Sequence, residues 1–336
     1  MRIVSTAPSR IDLAGGTLDI YPIYLIEEGA YTVNAAITLG SYVVVETDVC
    51  RGVRIVSEDL GEELSAPSAE SLPLGGPLDL LVRGVRFYGV PEGTLITARN
   101  LPPPGSGIGA SSSLLIALSA ALCRLNGLNP DTDRLVDIAF QLETQNLRYP
   151  TGKQDYYAAA CGGINAIWFG PGGPRVERLG PDPDFAKALR SQTLLVDTGR
   201  SRASASVNWD MLRNYVEDRG DTRERMRRIR QVAYEMKQAL EGRDLEAVAR
   251  LLAEEWEARR GLADTVTSDE GDRIMAAAAA AGATAWKFCG AGGGGCMVIM
   301  APPDKLPAVG RAATEAGGIL LDFDFSLQGV TVECQA

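Results

Sequence analysis

The chain of 336 residues contains no histidine. This absence excludes a Ser-His-Asp or Cys-His nucleophile pair and any zinc site that depends on histidine ligands. Acid and base chemistry must therefore come from aspartate, glutamate, lysine, tyrosine or cysteine. The six cysteines are scattered without a C-x-x-C pair. Because the first residues also lack a secretory signal, the sequence predicts reduced thiols and a cytoplasmic protein.

Positive charge and long apolar runs are also scarce. The chain has 33 lysines and arginines against 43 aspartates and glutamates, which gives a net charge of -10. Such a protein repels nucleic acid and anionic lipid, so we expect neither as a partner. The longest apolar run, around residues 114–123, is shorter than the roughly 18 to 20 residues that span a bilayer. Any phosphate must therefore be bound locally, by backbone N–H groups, a divalent cation or a few basic side chains.

The sequence does contain a loop rich in glycine and serine at the start of an apolar segment. Residues 102–113 read PPPGSGIGASSS, and apolar residues of helical length follow. The first turn of a helix leaves about four N–H groups unpaired and carries about half a positive charge, which suits phosphate. Prolines precede the loop and no Gly-Lys-Ser/Thr follows, so it is neither a dinucleotide fingerprint nor a P-loop. The alternative is a serine-rich cap on a buried helix that binds no ligand.

A second glycine-rich segment, residues 289–295, reads CGAGGGG. It contains the G-x-G-x-x-G spacing of nicotinamide-cofactor enzymes, but a β-type run follows where that fingerprint needs a helix. We therefore predict a glycine turn between two strands. Such a turn either admits a ligand or another backbone at close range, or is a tight hairpin without a function.

Three carboxylates are candidates for chemistry. Glu143 falls in the middle of a predicted helix, and Asp155 follows the helix-breaking Pro-Thr-Gly at 150–152. We expect Lys153 to keep Asp155 ionised, so that it can accept a proton or orient a hydroxyl. An exposed ion pair is the alternative. The third carboxylate, Asp19, belongs to a glycine turn at residues 14–19.

Hydrophobic periodicity and turn residues predict a mixed order of strands and helices. The predicted strands are residues 2–7, 41–48, 51–57, 95–99, 164–169 and 192–197. The predicted helices are residues 78–88, 131–147, 203–215, 222–241 and 245–260, besides the one after the glycine-serine loop. A proline- and glycine-rich stretch at 170–183 indicates a boundary between two domains, 1–175 and 176–336.

Taken together, these segments resemble the GHMP kinase superfamily, which includes galactokinase and the homoserine, mevalonate and phosphomevalonate kinases. The three motifs of that superfamily correspond, in the same order, to residues 7–16, 104–112 and 287–295. Within it, the Gly-Lys-Gln-Asp segment at 152–155 is similar to the bacterial heptose-phosphate kinases and to the kinase part of L-fucose kinases. The resemblance covers essentially the whole chain.

Four positions in three segments depart from that pattern. Thr17 and Leu18 stand where the relatives usually have glycine and threonine, and Tyr156 stands where they usually have glutamine. Ala110 also replaces a common serine in the second motif. The changes at residues 17–18 and at Tyr156 lie in segments that the resemblance assigns to the acceptor pocket. The resemblance therefore supports kinase chemistry more directly than it supports a heptose-phosphate acceptor.

The resemblance implies an α+β fold of two domains, the first like domain 2 of ribosomal protein S5 and the second ferredoxin-like. It also implies ATP- and Mg2+-dependent phosphorylation of a sugar or sugar phosphate, at the anomeric hydroxyl, to give a sugar 1-phosphate. The resemblance leaves the possibility of a homodimer open. Two alternative functions also stay open: phosphorylation of another small alcohol, of the mevalonate or galactose type, and a sensor without catalysis. The context of the second glycine segment argues against a nicotinamide-dependent oxidoreductase.

Site residues follow from the resemblance by position. The catalytic residues would be Asp155, Lys153 and Arg10. The nucleotide would be bound by Pro104, Gly105, Ser106, Gly107, Ile108, Gly109, Ala110, Ser111 and Ser112. The acceptor would be bound by Arg10, Gly16, Thr17, Asp19, Asp155, Gly290, Ala291 and Gly292, and Mg2+ by Ser111 and Glu143.

Overall fold

The computed structural model describes residues 1–179, 183–201 and 204–335. The strands, in chain order, are β1 (Arg2–Ala14), β2 (Tyr31–Glu46), β3 (Val53–Ser57), β4 (Glu62–Ala66), β5 (Thr94–Asn100), β6 (Ile164–Trp168), β7 (Arg175–Arg178), β8 (Thr193–Asp197), β9 (Ala285–Phe288), β10 (Cys296–Met300), β11 (Ile319–Leu321) and β12 (Thr331–Gln335). The helices are α1 (Ile23–Ile26), α2 (Asp79–Tyr88), α3 (Ala110–Leu125), α4 (Thr132–Leu147), α5 (Gln154–Cys161), α6 (Pro183–Arg190), α7 (Ser204–Val216), α8 (Thr222–Glu241), α9 (Leu245–Arg259), α10 (Asp269–Ala280) and α11 (Leu306–Glu315).

The first sheet has the order β12-β1-β2-β5-β3-β4, and β6 and β7 join it through β2. Its β1–β2 pairing is antiparallel, and the register shifts between Pro8 and Ser9 and again between Asp12 and Ala14. Such bulges re-aim side chains near functional sites. From residue 7 to residue 14 every residue of β1 is buried. This buried half of β1 carries the charged side chains Arg10 and Asp12 into the interior.

Helix α3 is the central helix of the first domain. It is apolar on nearly all sides, with an unbroken buried run from residue 112 to residue 119, as expected of a helix enclosed by other elements. It packs on β1 and β2 and against α2, α4 and α5. Because α3 begins at the glycine-serine loop, this packing fixes the position of that loop.

The second sheet is antiparallel with the order β11-β8-β10-β9. Helices α7–α10 connect β8 to β9, a turn joins β9 to β10, and α11 leads to β11. Apart from the extra helices, this is the ferredoxin-like β-α-β-β-α-β arrangement. The prediction of a ferredoxin-like second domain and of mixed α+β content is therefore confirmed.

Two predicted strands are shorter than the observed ones. β2 begins at Tyr31 rather than at residue 41. β1 extends to Ala14 rather than ending near residue 7, because its second half is buried on both faces and shows no alternation. The division into residues 1–175 and 176–336 stays a prediction; β7 and the last described strand, β12, both belong to the first sheet. Residue 203, where one predicted helix begins, lies outside the described residues.

Among the helices described, none has both the length and the apolar character needed to cross a membrane.

Candidate active site

A cleft of about 440 Å³ lies between the start of α3, the 14–19 turn, the segment before α5 and the turn between β9 and β10. The predicted site residues that line it are Arg10, Gly16, Thr17, Asp19, Pro104, Gly105, Ser106, Gly107, Gly109, Ala110, Ser111, Ser112, Glu143, Asp155, Gly290 and Ala291. Segments that are far apart in sequence therefore meet here. Three predicted site residues, Ile108, Lys153 and Gly292, are not among the lining residues.

The glycine-serine loop is shaped by its glycines. Gly105, Gly107 and Gly109 have φ values of 73°, 69° and 81°, in the region that residues with a Cβ rarely adopt. Gly109 is the N-cap of α3, so the first turn of the helix, from Ala110 to Ser112, borders the cleft. N–H groups of a first turn lack intrahelical acceptors. The loop can therefore bind an anion with neutral backbone dipoles.

The second glycine segment, residues 289–295, packs directly on this loop. A Cβ on Gly290 would lie 2.6 Å from the Gly107 carbonyl oxygen, and one on Gly295 would lie 2.5 Å from the Ser106 carbonyl oxygen. The Cys296 N–H also donates to the Ser106 carbonyl over 2.6 Å. The close approach of another backbone, one of the predicted alternatives, is therefore confirmed.

Two of the residues outside the cleft lining have structural roles. Ile108 is fully buried, and its carbonyl accepts a hydrogen bond from the Arg10 backbone N–H at 2.9 Å. Gly292 faces a different segment, since a Cβ there would lie 2.4 Å from the Val266 carbonyl oxygen. Neither Ile108 nor Gly292 lines the cleft, so the predicted nucleotide contact of Ile108 and the predicted acceptor contact of Gly292 stay predictions.

Arg10 links the loop to the predicted catalytic carboxylate. Its guanidinium donates to the Gly107 carbonyl at 2.9 Å and pairs with Asp155 Oδ1 at 2.7 Å. Burial raises the pKa of Asp155, and the positive charge of Arg10 opposes that rise. The Asp155 side chain is 24% exposed, so its carboxylate can meet a ligand in the cleft.

The expected role of Lys153 is wrong. Its ammonium pairs with Asp137 at 2.8 Å and lies 4.7 Å from the centre of the Phe140 ring. Lys153 therefore pairs with Asp137, and Arg10 is the cation that pairs with Asp155. Sequence adjacency suggested Lys153, whereas the pairing is made between β1 and α5.

Glu143 lies on α4 with its carboxylate buried among hydroxyls. Ser111 Oγ donates to Oε1 at 2.5 Å, Ser112 Oγ donates to Oε2 at 3.2 Å, and the Tyr156 hydroxyl also donates to Oε2. Burial raises the pKa of Glu143, and these hydroxyl groups oppose the rise. The sequence analysis missed the contact of Tyr156 with Glu143. The available signal was that a tyrosine stands where the resemblance leads one to expect glutamine.

Ser111 and Glu143 fit a magnesium site by their chemistry. Hydroxyl and carboxylate oxygens are hard donors, and Mg2+ in kinases takes one or two carboxylates together with phosphate oxygens and waters. Across the ranges that the structure describes, no cluster of three or more His, Cys, Asp or Glu residues could hold a metal by itself. A metal held by Ser111 and Glu143 would therefore need further ligands from a bound phosphate.

Asp19 fastens the 14–19 turn to the segment before α5. Its Oδ2 accepts the Gln154 N–H at 3.0 Å, and a Cβ on Gly152 would lie 1.9 Å from the same oxygen. Gly152 is thus required for this close approach. Burial, partly offset by the Gln154 N–H, raises the pKa of Asp19 from 3.8 to about 6.

Behind the turn lies a group of four charged side chains, each at most 1% exposed, which we name the buried charge cluster: Asp12, Glu255, Arg259 and Lys287. Lys287 pairs with Asp12 at 3.0 Å and with Glu255 at 3.2 Å. Arg259 Nε donates to Glu255 at 2.9 Å. Burial would raise the pKa of Glu255, but Arg259 and Lys287 hold it below its usual value.

Arg259 also holds the 14–19 turn. It donates to the Gly16 carbonyl at 2.7 Å and to Thr17 Oγ1 at 3.1 Å. Thr17 has a φ of 76°, which is an outlier for a β-branched residue. The sequence analysis missed Glu255 and Arg259. The available signal was that both continue the apolar stripe of Leu252 and Trp256 on α9 at helical spacing.

Comparison with known proteins gives consistent results. The family model described as "GHMP kinases N terminal domain" matches residues 79–163, and the model described as "GHMP kinases C terminal" matches residues 236–319. The D-glycero-alpha-D-manno-heptose 7-phosphate kinase of Campylobacter jejuni is 28% identical and covers 98% of both chains. The bifunctional fucokinase/GDP-fucose pyrophosphorylase of Arabidopsis thaliana is 25% identical over 88% of this chain and 29% of its own longer chain.

Solved structures agree with the sequence relatives. The crystal structure of a D-glycero-D-manno-heptose 1-phosphate kinase from Bacteroides thetaiotaomicron has a TM-score of 0.80 and 26% identity, and covers 99% of both chains. A mevalonate kinase structure with a TM-score of 0.75 and 17% identity shares the fold. The likeness to the heptose kinase therefore extends over both sheets and the cleft between them.

Proposed function

This chain belongs to the GHMP kinases, and on that premise we propose that it transfers a phosphoryl group from Mg2+-ATP to the anomeric hydroxyl of a sugar or sugar phosphate. It is a phosphotransferase of the sugar-kinase kind, as its similarity to a heptose 7-phosphate kinase and to a fucokinase supports. The proposed product is a sugar 1-phosphate.

The observation that carries the proposal is the position of Asp155 beside the anion loop. A Cβ on Gly109, at the cap of α3, would lie 3.2 Å from an Asp155 carboxylate oxygen. A hydroxyl held by Asp155 therefore lies next to a phosphate held by the loop. Phosphoryl transfer depends mainly on such positioning and on neutralisation of charge.

The nucleotide would lie along the loop and an apolar side of the cleft. Backbone N–H groups from Gly105 to Ser112 would bind the phosphates. Leu60, Leu78, Leu81 and Leu114 line the same cleft and offer an apolar surface for the base. Apolar walls with a few polar groups are the usual composition of a small-molecule site.

Ser111 and Glu143 would hold Mg2+. When bound, the ion would neutralise charge on the phosphates during transfer. A cation next to Glu143 would also favour the ionised carboxylate, against the effect of burial. A bound cation would explain why Glu143, whose pKa is raised by burial, lies beside the first turn of α3.

The acceptor would lie between Asp155 and the 14–19 turn. Asp155 would accept the proton of the attacking hydroxyl while the new P–O bond forms and the bond to ADP breaks. Asp19 and Thr17 would bind other hydroxyls of the sugar, and Arg10 would stabilise charge near the transferred group. A heptose phosphate or a fucose-like sugar is the proposed acceptor class, on the strength of the two relatives named above.

The test is Mg-ATP-dependent release of ADP with a panel of acceptors: free hexoses, L-fucose, heptose 7-phosphate, uronic acids and mevalonate. Phosphorus NMR of each product would identify the phosphorylated position. We expect an anomeric phosphate on one sugar. Turnover of mevalonate alone would replace the sugar-kinase proposal, and ATP binding without turnover on the whole panel would favour a sensor.

A further inference from the structure

We propose that Tyr156 is a positioning residue for the metal site: its hydroxyl holds one oxygen of Glu143 so that the other faces Ser111 and the metal. The inference rests on the proposed function, because it assumes that Glu143 binds Mg2+. It concerns a residue at which this chain departs from the glutamine usual in similar kinases.

The two oxygens of Glu143 have different partners. Among the residues that the structure describes, Oε1 accepts a hydrogen bond from Ser111, the other proposed metal ligand, whereas Oε2 accepts hydrogen bonds from both Ser112 and Tyr156. The Oε2 side is thereby occupied by hydroxyl donors. Oε1 and Ser111 Oγ, which lie 2.5 Å apart, are left as the two protein oxygens that would hold a metal.

Tyr156 is well suited to hold a ligand still. Its side chain is fully buried, and its ring packs edge-on against Phe140, with ring centres 6.1 Å apart and an angle of 82° between the planes. A phenol in such packing has little freedom to turn away. Phe140 lies on α4, the helix that carries Glu143, so the same packing joins Tyr156 to the element it orients.

The position of Tyr156 in α5 connects the two functional carboxylates. It follows Asp155 directly, and successive residues of a helix point about 100° apart. Asp155 pairs with Arg10 at the cleft while Tyr156 contacts Glu143. One turn of α5 therefore places the proposed base and orients the proposed metal ligand together.

Removing the hydroxyl should weaken metal binding. In Tyr156→Phe, Oε2 would keep only the longer bond from Ser112, at 3.2 Å, and the carboxylate could rotate away from Ser111. Loss of a group that orients a metal ligand typically lowers metal affinity about 10- to 100-fold. We expect a loss in that range for this variant.

The experiment measures dissociation of Mn2+ from the complex of the 336-residue chain with ADP, by electron paramagnetic resonance of free Mn2+. ADP affinity in the presence of a chelator is measured in parallel. This second value should not change in Tyr156→Phe, because the hydroxyl acts through Glu143 and not on the nucleotide. Neither measurement requires the acceptor to be known.

Tyr157→Phe is the matched control. The Tyr157 side chain is also buried, at 2% exposure, but its hydroxyl donates to Asp133 at 2.8 Å rather than to Glu143. It should therefore retain the Mn2+ affinity of the unmodified protein. An equal loss in both tyrosine variants would overturn the inference, since it would reflect packing alone.

Glu143→Gln separates the two proposals. If Glu143→Gln loses Mn2+ affinity and Tyr156→Phe does not, the inference fails while the metal site stands. If Glu143→Gln keeps full Mn2+ affinity, the metal role of Glu143 fails and the inference fails with it. Should Tyr156→Phe not fold, Tyr156→Met, which also lacks the hydroxyl and fills irregular space, must show the same loss.

Discussion

The two walls of the cleft are held in place by different means. The wall proposed to bind phosphate, residues 104–112 and here called the phosphate wall, takes its shape from three alternating positive-φ glycines and from the helix that follows. The acceptor wall, residues 14–19, depends on the buried charge cluster. Arg259, for example, donates to Thr17 across 242 residues of sequence.

This difference separates two kinds of recognition. Backbone N–H groups at a helix start are neutral dipoles, and a local change there alters anion binding without unpairing a buried charge. The acceptor wall is supported by ion pairs in a water-excluded interior, where removing one partner leaves the other uncompensated. We therefore expect acceptor-side changes to affect stability as well as function, and loop changes to affect mainly the nucleotide.

The largest expected effect comes from Glu255→Gln. The substitution removes the negative charge that pairs with both Arg259 and Lys287, and breaking a buried pair typically costs about 3 to 5 kcal/mol. We expect the free energy of unfolding, measured by urea denaturation, to fall by that amount.

The neighbouring residue supplies the control. Glu254 pairs with Arg228 and Arg250 at the surface, where its side chain is 31% exposed. Exposed pairs contribute about 0 to 1 kcal/mol, so Glu254→Gln should change the free energy of unfolding by no more than that. Similar losses in the two variants would mean that the cluster is not a special support of the acceptor wall.

Asp155→Asn should break the chemistry while leaving both walls intact. The amide keeps the size of the carboxylate but cannot accept the proton of the attacking hydroxyl. We expect turnover to fall by about 100-fold or more, the scale of losing an acid–base group, with ATP affinity in calorimetry unchanged. Turnover close to that of the unmodified enzyme would remove Asp155 from the mechanism.

The contrast between the walls also explains what the sequence could predict. The phosphate wall could be predicted from the sequence because the residues that form it are contiguous. Its glycines, its serines and the apolar helix lie in a single stretch, residues 104–123. Asp155 and Glu143 were identified through motif resemblance, and both line the cleft with the loop. Of the second domain, periodicity also predicted strand β8 and helices α7, α8 and α9.

What sequence reasoning missed depends on contacts between distant residues. Lys153 and Asp155 are two residues apart, yet Lys153 pairs with Asp137 on α4 and Asp155 pairs with Arg10 on β1. The sequence analysis did not single out Glu255 and Arg259, because burial of charge depends on what packs against it. The end of β1 was missed because a strand buried on both faces has no alternating pattern.

Asp19 offers a pH-dependent test of the acceptor wall. Its pKa is higher in the folded protein, at about 6, than the usual 3.8, so between these values the folded state binds the proton more tightly than the unfolded state. The stability contributed by this group is present below about pH 4 and is lost as pH rises through about 6.

Asp19→Asn removes that titration. At pH 8 the variant should be more stable than the unmodified protein by roughly 1 to 3 kcal/mol, and the gap should narrow as pH falls below 6. Urea denaturation at a series of pH values measures it. A gap that does not vary with pH would contradict the assigned cause. Acceptor KM should rise in the variant at pH 8 if the ionised carboxylate binds a hydroxyl.

Two glycines that flank α3 test the phosphate wall, and their replacement has the smallest expected effect on stability. Gly109 caps the start of α3 with a φ of 81°, and Gly127 follows its end with a φ of 67°. Alanine in this left-handed region costs about 1 to 2 kcal/mol, so both Gly109→Ala and Gly127→Ala should lower the free energy of unfolding by a similar amount.

Only one of the two glycines borders the cleft. A Cβ on Gly109 would press on Asp155 at 3.2 Å, whereas a Cβ on Gly127 would have nothing within 4 Å. ATP affinity, measured by calorimetry, should therefore fall in Gly109→Ala and stay unchanged in Gly127→Ala. If Gly109→Ala binds ATP as tightly as the unmodified protein, the anion-binding geometry assigned to this loop is wrong. If Gly127→Ala loses affinity equally, the effect is transmitted through α3, and the phosphate wall depends on distant packing as much as the acceptor wall does.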